Sequence, residues 1–268
     1  MSFENIERDL SWDRSPTGAP SSFGNDQCPV RRFDTYFHLV SANTRELIEI
    51  AFALRYQVYC LERQFEDPAQ QRDGLESDGF DQHAVHSLIF HRPQGEAIGT
   101  ARLILPQAAR RNSLPIQQLL QKQGINPTDF FPNDSVAEIS RFAISDAFRR
   151  RAPASAHAPN APSKRELRSN LPCLGLFQIL LRQSIELGID YWSAVMEPHL
   201  MRMLAGMGIR FQPIGPVVSY HGLRQPSYCH VPLMLRNLAL TKPESWAVVT
   251  NNGALMYAPA AQELRKVA

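Results

Sequence analysis

The sequence predicts one mixed α/β domain, and three observations lead to this fold class. The chain of 268 residues is long enough to bury one sizeable core. Hydrophobic residues make up 44% of it and charged residues 20%, the composition of a soluble globular protein. The apolar patterns follow the order strand, helix, three mostly antiparallel strands, helix, strand, helix and strands, which is typical of a mixed α/β layer arrangement.

The N-terminal part of the chain is expected to be a loosely ordered arm, then a strand and a helix. Residues 1–32 are polar and rich in Pro, Gly and Ser, without apolar periodicity. Residues 33–40 alternate enough to predict a strand. Residues 41–65 begin with the capping residues Ser41 and Asn43, which predicts the first helix. Its apolar residues recur at helical spacing: Leu47, Ile50, Leu54 and Val58.

Three apolar segments in the middle of the chain are predicted strands. They are residues 83–92, 96–106 and 136–145. The first two are joined by the tight-turn sequence PQG and are expected to form a hairpin. Residues 113–125 predict a short amphipathic helix, so the second connection is long enough to cap one end of the sheet.

The C-terminal half begins with a predicted flexible insertion. Residues 152–166 are mostly Ala, Pro, Ser and Asn with no periodicity. After the insertion we predict a helix over 171–189, a strand over 190–198, a helix over 199–215 closed by Gly208, and two strands within 216–235. From Arg236 onward the chain is expected to be helical or irregular.

Charge and apolar content argue against two classes of partner. The formal net charge of +2 gives no electrostatic signature of a nucleic-acid-binding protein. No run approaches the roughly 18 apolar residues needed to span a bilayer, so no integral membrane segment is expected. The N-terminus lacks the apolar core of a secretory signal. We therefore expect a cytoplasmic protein.

Cysteine and histidine spacing predict no metal site. The cysteines are widely spaced and are interpreted as reduced thiols that mostly pack, although a nucleophilic role for Cys173 stays open. His83 and His86, three residues apart on a strand, should face opposite ways. The four cysteines are Cys28, Cys60, Cys173 and Cys229.

The strand over 136–145 carries two charged residues among apolar ones. Glu138 and Arg141 have opposite parity, so they should point to opposite faces unless the strand bulges. A buried charge survives when it is paired, for example with Arg102, Asp78 or Asp81. An ion-pair network that only fixes the sheet and a functional cleft both satisfy this condition.

Two further groups of charged residues have functional and structural interpretations. Arg55 and Tyr59 can share one face of the first helix, although a surface arginine is the simpler interpretation. Arg149 and Arg150 precede a helix with Gly175 near its start, which favours an anion site. The alternative there is a solvated basic turn.

Four motifs in order resemble the acyl-homoserine-lactone synthases and the related long-chain N-acyl amino acid synthases, including the exosortase-associated acyltransferases. The motifs are Arg55 with Tyr59, Glu76 with Asp78 and Asp81, Gly99 with Arg102 and Leu103, and Glu138 with Ser140, Arg141 and Phe142. The similarity runs from about residue 33 to residue 233. These families belong to the GCN5-related N-acetyltransferase (GNAT) superfamily.

The resemblance implies a GNAT fold with a mixed central sheet, splayed middle strands and flanking helices over residues 33–268. It implies an acyl thioester donor, acyl carrier protein or acyl-CoA, whose phosphopantetheine arm enters between the splayed strands. An amino acid or similar amine accepts the acyl group, and no cofactor is permanently bound. Autoinducer synthesis, a non-catalytic acyl-binding module and an acetyl-CoA-dependent acetyltransferase are the alternatives.

The resemblance also implies roles for individual residues. Glu138 would orient or deprotonate the amine, as required for an amine that is protonated at neutral pH. A charged network would line the acceptor side: Arg102, Arg141, Asp78 and Asp81, supported by Arg55. The donor side would comprise Phe142, Ile144, Leu176 and Phe177 for the acyl chain, with Arg149, Arg150 and Gly175 for the phosphate or the carrier protein.

Two departures from the family favour an N-acyl amino acid synthase. Phe65 stands where lactone synthases usually carry a tryptophan. Gly175 lacks the glycine-rich run of acetyl-CoA users, and an insertion precedes it, which favours a carrier-protein donor. Separately, His221 and Arg224 are predicted on a loop near the expected end of the sheet, where an arginine could bind the carboxylate of the acceptor.

Overall fold

The sheet and its flanking helices are described by a computed structural model for residues 28–107, 112–150, 170–219 and 222–257. The strands are β1 (Phe37–Ala42), β2 (Ala84–His91), β3 (Glu96–Ile104), β4 (Val136–Ile144), β5 (Tyr191–Met196), β6 (Gln212–Pro213), β7 (Val218–Ser219) and β8 (Leu223–His230). The helices are α1 (Pro29–Tyr36), α2 (Arg45–Arg55), α3 (Pro115–Lys122), α4 (Asp146–Arg150), α5 (Leu171–Glu186), α6 (Pro198–Gly206), α7 (Val231–Thr241) and α8 (Pro243–Thr250). Helix α2 continues as a π-helix over Tyr56–Glu62.

The sheet opens in its middle. The strand order is β1-β2-β3-β4-β5-β8-β6, with β7 paired to β8. All neighbours are antiparallel except β4 and β5, which are parallel. That parallel pairing runs only from Val136–Tyr191 to Glu138–Ser193. Beyond Glu138 the two strands part, so the predicted splayed middle strands are confirmed.

Both faces of the sheet are covered by helices. Helix α5 packs on β1, β2 and β3, and α7 and α8 join the same core, which includes Leu103, Ile139 and Leu176. Helix α2 covers the opposite face through Leu54 and Leu88, and α3 extends that layer beside β4. These layers hold the opening between β4 and β5 in a fixed frame. No helix in the described part of the chain is both long and apolar enough to cross a bilayer.

The predicted strand over 33–40 is wrong in its first half. Residues 29–36 form α1, and the strand begins only at Phe37. Pro29 is favoured at the first position of a helix, and Val30 and Phe33 are buried three residues apart on one helical face. The predicted arm over 1–32 otherwise lies outside the described residues, as does the insertion 152–166.

Smaller differences concern where elements begin and end. The cap of α2 is Thr44, whose Oγ accepts from the backbone N–H of Leu47, and not Ser41 or Asn43. The helix predicted over 199–215 ends at Gly206. The second strand predicted within 216–235 ends at His230, where α7 begins. All four cysteines are buried and free, as expected of packing thiols.

Gly175 lies where α5 packs directly against α1 and β2. A Cβ atom at this position would lie 2.5 Å from the Phe33 ring and 3.1 Å from Cδ1 of Ile89. The absence of a side chain at Gly175 therefore allows the helix to pack on the sheet.

We predict that Gly175→Ala lowers the free energy of unfolding by about 1–3 kcal/mol, because the added methyl group overpacks this contact. Gly206→Ala is the matched control in α6, since a Cβ there meets nothing within 4 Å. The control should be neutral or stabilising by up to about 1 kcal/mol. Urea denaturation of both variants measures the difference, and equal stabilities would contradict the packing role.

Candidate active site

Strand β4 contains a β-bulge at Arg141. Between the Arg102–Ser140 pair and the Thr100–Ala143 pair, β4 has one residue more than β3. Arg141 has a φ of 49°, which places it in the left-handed region that non-glycine residues rarely adopt. On a regular strand, Glu138 and Arg141 would point to opposite faces of the sheet. The bulge allows both side chains to serve one site.

The bulge turns Arg141 to the face that already carries Glu138 and Ser140. Ser140 Oγ accepts a hydrogen bond of 2.9 Å from Arg102 Nε. Arg141 and Arg102 both bind the carboxylate of Asp78, so their guanidinium groups lie on the same face of the sheet. After the bulge, alternation resumes, and Phe142 points to the α5 side.

Six buried or half-buried side chains form a closed ring of ion pairs on this face. Each carboxylate lies between two guanidinium groups, and each guanidinium lies between two carboxylates. The formal charges sum to zero. In order around the ring, the residues are Arg55, Glu76, Arg141, Asp78, Arg102 and Asp81. We call this cluster the ion ring.

The two aspartates connect the ring to β3. Asp78 accepts two hydrogen bonds from Arg102, of 2.7 and 3.0 Å, and one of 3.2 Å from Arg141. Asp81 Oδ1 lies 2.7 Å from Nη1 of both Arg55 and Arg102. Burial alone would raise the pKa of Asp81, but its ion pairs with the two arginines outweigh burial and lower the pKa to about 2. Asp81 is therefore ionised throughout the neutral range.

Glu76 connects the ring to α2 and to the bulge. It contacts Arg55 Nε and accepts hydrogen bonds of 2.8 and 3.1 Å from Arg141. Although Glu76 is almost fully buried, its pKa is lowered because the hydrogen bonds from both arginines outweigh desolvation. Glu76 belonged to the motif that carried the family resemblance, but no role was predicted for it.

The π-helix contacts the bulge in β4 through Tyr59. Tyr59 Oη donates a hydrogen bond of 3.3 Å to the carbonyl oxygen of Phe142. The guanidinium of Arg141 lies 5.4 Å from the centre of the Tyr59 ring, within cation–π distance. Tyr59 therefore contacts both residues that define the bulge. Arg55 belongs to the ion ring and Tyr59 contacts it through Arg141, so both side chains lie on the same side of the helix, as predicted.

Glu138 lies next to the ion ring and forms no ion pair with it among the described residues. It is 4% exposed, and its Oε2 accepts a hydrogen bond of 2.7 Å from the backbone N–H of Ile116. Burial raises its pKa to about 7, against the smaller opposing effects of that hydrogen bond and of Arg102. Glu138 pairs with Ser193 at the last paired position of β4 and β5, so it marks the apex of the opening.

The predicted acyl-binding residues lie together on the α5 side of β4. The rings of Phe142 and Phe177 are 5.1 Å apart, and Phe177 continues to Trp192 at 5.7 Å. Ile144 and Leu176 belong to the same buried cluster. The structure thus brings these four predicted residues into one apolar wall beside the opening.

The donor-side roles of Arg149, Arg150 and Gly175 stay predictions. Arg149 and Arg150 lie on α4, and Arg150 is exposed, with Nε bonded to the carbonyl of Asp146. Leu174 already donates to the carbonyl of Asn170, so Gly175 lies beyond the unsatisfied N–H groups of α5, and it packs on Phe33.

Arg224 lies on β8, and not on a loop as predicted. Its guanidinium stacks 5.2 Å from the centre of the Phe65 ring, and its Nη1 lies 3.1 Å from Oε1 of Glu197. Phe65 in turn contacts Tyr59 at 6.3 Å. Arg224 is therefore linked to the ion ring through two aromatic rings. His221 lies outside the described residues, and no pattern in the sequence pointed to Glu197.

Comparisons with known proteins agree with this architecture. A family model described as "Acetyltransferase (GNAT) domain" matches residues 54–157. No curated protein sequence matches the chain. No cluster of three or more histidine, cysteine or acidic side chains that could hold a metal ion occurs among the described residues.

Several solved structures share the fold at low sequence identity. The AHL synthase LasI matches with a TM-score of 0.51 and 17% identity over 74% of this chain and 94% of LasI. BjaI is a CoA-dependent acyl-homoserine lactone synthase solved with SAM and isopentyl-CoA. It matches with a TM-score of 0.53 and 19% identity over 83% of this chain and 90% of BjaI. FeeM, an N-acyl amino acid synthase from uncultured soil microbes, matches with a TM-score of 0.53 and 18% identity over 77% of this chain and 97% of FeeM. The predicted GNAT fold is confirmed.

We predict that Asp81→Asn lowers the free energy of unfolding by about 3–5 kcal/mol, since it leaves Arg55 and Arg102 without a shared counter-charge. The exposed Asp134→Asn is the control and should change stability by less than about 0.5 kcal/mol. Because the pKa of Asp81 is depressed, the wild type should lose its contribution as pH falls from about 4 to about 2. Denaturation of the three proteins at pH 7 and pH 3 measures both effects. An Asp81→Asn protein as stable as the control would contradict the ring's role.

We predict that Glu138→Gln becomes increasingly stabilising between pH 5 and pH 8. A carboxyl whose folded-state pKa is raised favours folding below its unfolded pKa and loses that contribution as pH rises through the folded value, here about 7. Between pH 5 and pH 8, the free energy of unfolding of the wild type should therefore fall by up to about 3 kcal/mol relative to that of the variant. Glu49→Gln, on the exposed face of α2, is the control carboxylate. Equal stability differences at both pH values would show that Glu138 is not desolvated.

Proposed function

We propose that this GNAT-fold chain is an N-acyltransferase that moves a fatty acyl group from a thioester to the amine of an amino acid or similar acceptor. The observation that carries the proposal is Glu138, a buried carboxyl with a pKa of about 7 at the apex of the β4–β5 opening. A group that changes protonation near neutral pH is suited to general acid–base catalysis. The fold it shares with synthases of N-acylated products supports the same reaction class.

Glu138 supplies the base that the reaction needs. An amine is protonated at neutral pH, and ionised Glu138 takes a proton from it, directly or through a water. The neutral nitrogen then attacks the thioester carbonyl, the C–N bond forms and the C–S bond breaks. The nitrogen loses its remaining extra proton and the departing sulfur gains one, so the products are an N-acyl amide and a thiol.

The opening beyond Glu138 accommodates the donor in this proposal. Among the described strands, none pairs with β4 past Glu138 on the β5 side, so the N–H groups there are available to polarise the thioester carbonyl. The apolar wall of Phe142, Ile144, Leu176 and Phe177 contacts the acyl chain. Arg149 and Arg150 on α4 meet the pantetheine phosphate or an acidic carrier protein. Acyl carrier protein is the proposed donor and acyl-CoA the alternative, and both thioesters place the reaction in the cytoplasm.

The ion ring supports the acceptor side without binding the acceptor's charge. Arg55 and Arg102 use all three guanidinium nitrogens within the ring and its Ser140 contact. The ring is neutral as a whole, so it fixes the bulge and holds Arg102 and Arg141 in place beside Glu138. The acceptor's carboxylate is assigned instead to Arg224, whose Nε and Nη2 have no acceptor among the residues that the structure describes. His221, three residues before it in sequence, is assigned to the same side.

A lactone synthase is the second candidate, because LasI and BjaI share the fold. Phe65 in place of the tryptophan favours the N-acyl amino acid product, of the kind expected of exosortase-associated acyltransferases. A non-catalytic module of the same fold does not require Glu138 or an intact ion ring, and both are present.

Lipid extracts from a heterologous host test the proposal by mass spectrometry. The wild type should yield N-acyl species, and Glu138→Ala and Glu138→Gln should reduce their rate of formation by about 10²–10⁴-fold through loss of the base. Glu49→Gln on the surface of α2 is the matched control and should retain activity. In purified enzyme, kcat should rise with pH through about 7 as Glu138 ionises. Wild-type extracts without any N-acyl species would count against the synthase function, and a lactone product would select the second candidate.

A further inference from the structure

Arg224 is held at only one of its guanidinium nitrogens. Its Nη1 contacts Glu197 Oε1 at 3.1 Å and donates to the carbonyl of Leu223 at 3.2 Å. Its Nε and Nη2 have no acceptor within the described ranges, although the side chain is only 13% exposed. The edge formed by Nε and Nη2 can take a carboxylate through two parallel hydrogen bonds. Arg224 thus differs from Arg55 and Arg102, whose nitrogens are all engaged.

Glu197 occupies the N-cap of α6 but does not cap it. Its side chain makes no hydrogen bond to the first N–H groups of the helix. Ser, Thr, Asp and Asn are the residues that normally cap this position. The carboxylate contacts Arg224 instead and is 42% exposed. It can therefore rotate into solvent at the cost of this one contact among those that the structure describes.

The pair lies at the mouth of the opening between β4 and β5. Glu197 comes directly after β5, which forms one side of the opening. Arg224, Phe65, Tyr59 and Arg141 form a continuous stack, with separations of 5.2, 6.3 and 5.4 Å along it. The stack leads from Arg224 to the ion ring beside Glu138.

We propose that Glu197 is a specificity-determining residue whose carboxylate holds Arg224 until the acceptor's carboxylate replaces it. A second carboxylate at the Nε and Nη2 edge repels Glu197. Each carboxylate of the ion ring is held by two guanidinium groups, whereas the Glu197 carboxylate contacts only Arg224 among the described residues and is 42% exposed, so binding of the acceptor releases it. Acceptor binding is then an exchange of one carboxylate for another. An amine without a carboxylate gains nothing from this exchange, so Glu197 and Arg224 together select amino acids. The inference rests on the proposed function.

Steady-state kinetics with the twenty proteinogenic amino acids, and dodecanoyl-CoA or dodecanoyl carrier protein as donors, test the exchange. With the best amino acid, Glu197→Gln should lower KM by about two- to fivefold, the size expected of a partly exposed ion pair, and leave kcat unchanged. The amide of the same amino acid should show no change in KM. Arg224→Ala should raise KM for the amino acid, and adding Glu197→Gln to it should have no further effect.

Glu49→Gln is the matched control, because it removes a carboxylate from the exposed Arg45–Glu49 ion pair of 2.9 Å, remote in sequence from the acceptor side. A KM that is unchanged or higher in Glu197→Gln would overturn the exchange and leave Glu197 with a merely positioning role. An unchanged KM in Arg224→Ala would overturn it as well. If the wild type acylates neither an amino acid nor its amide, the proposed function fails and this inference with it. Acylation of the amide alone, or product formation with an unaltered KM in Glu197→Gln, refutes this inference and leaves the proposed function standing.

Discussion

The ion ring is the interaction on which the rest of the site depends. It ties together the end of α2, the loop before β2, β3 and the bulge in β4 through six side chains of alternating charge. Desolvating three guanidinium groups and three carboxylates is costly, and the cost is offset only while every charge keeps its partners. The ring therefore favours one arrangement of these four elements over all others. Glu138 owes its fixed position beside the opening to that arrangement.

The ring and Glu138 show how one face can hold carboxyl groups with opposite behaviour. Asp81 and Glu76 are buried but paired, and their pKa values are lowered. Glu138 is also buried, receives one hydrogen bond from Ile116, and has a pKa that desolvation raises to about 7. The ring carboxyls have guanidinium contacts that outweigh desolvation, and Glu138 forms no such ion pair among the described residues. A site built in this way separates the groups that hold the structure from the group that exchanges a proton.

Much of the fold could be predicted from the sequence, because apolar spacing reports burial directly. Strands β2 to β5 and helices α3 and α5 agree with period-two and helical patterns. The alternation rule also exposed the conflict between Glu138 and Arg141 and required a bulge. It could not locate the left-handed residue, since arginine carries no signal for that conformation. The close packing of Gly175 could not be predicted, because a glycine near a helix start suits both an anion and a close-packed ring, and the position of Phe33 follows from tertiary structure. Glu197 and Arg224 meet through tertiary structure alone.

The π-helix that extends α2 is bonded at two points to the second half of β4 and the residues that follow it. Tyr59 bonds the carbonyl of Phe142, and Glu62 accepts from the backbone N–H groups of Asp146 and Ala147 after β4. These contacts join the π-helix to the bulge and to the start of α4, which lie more than 80 residues further along the chain. The widened turn therefore secures both ends of the second half of β4 to a single helix.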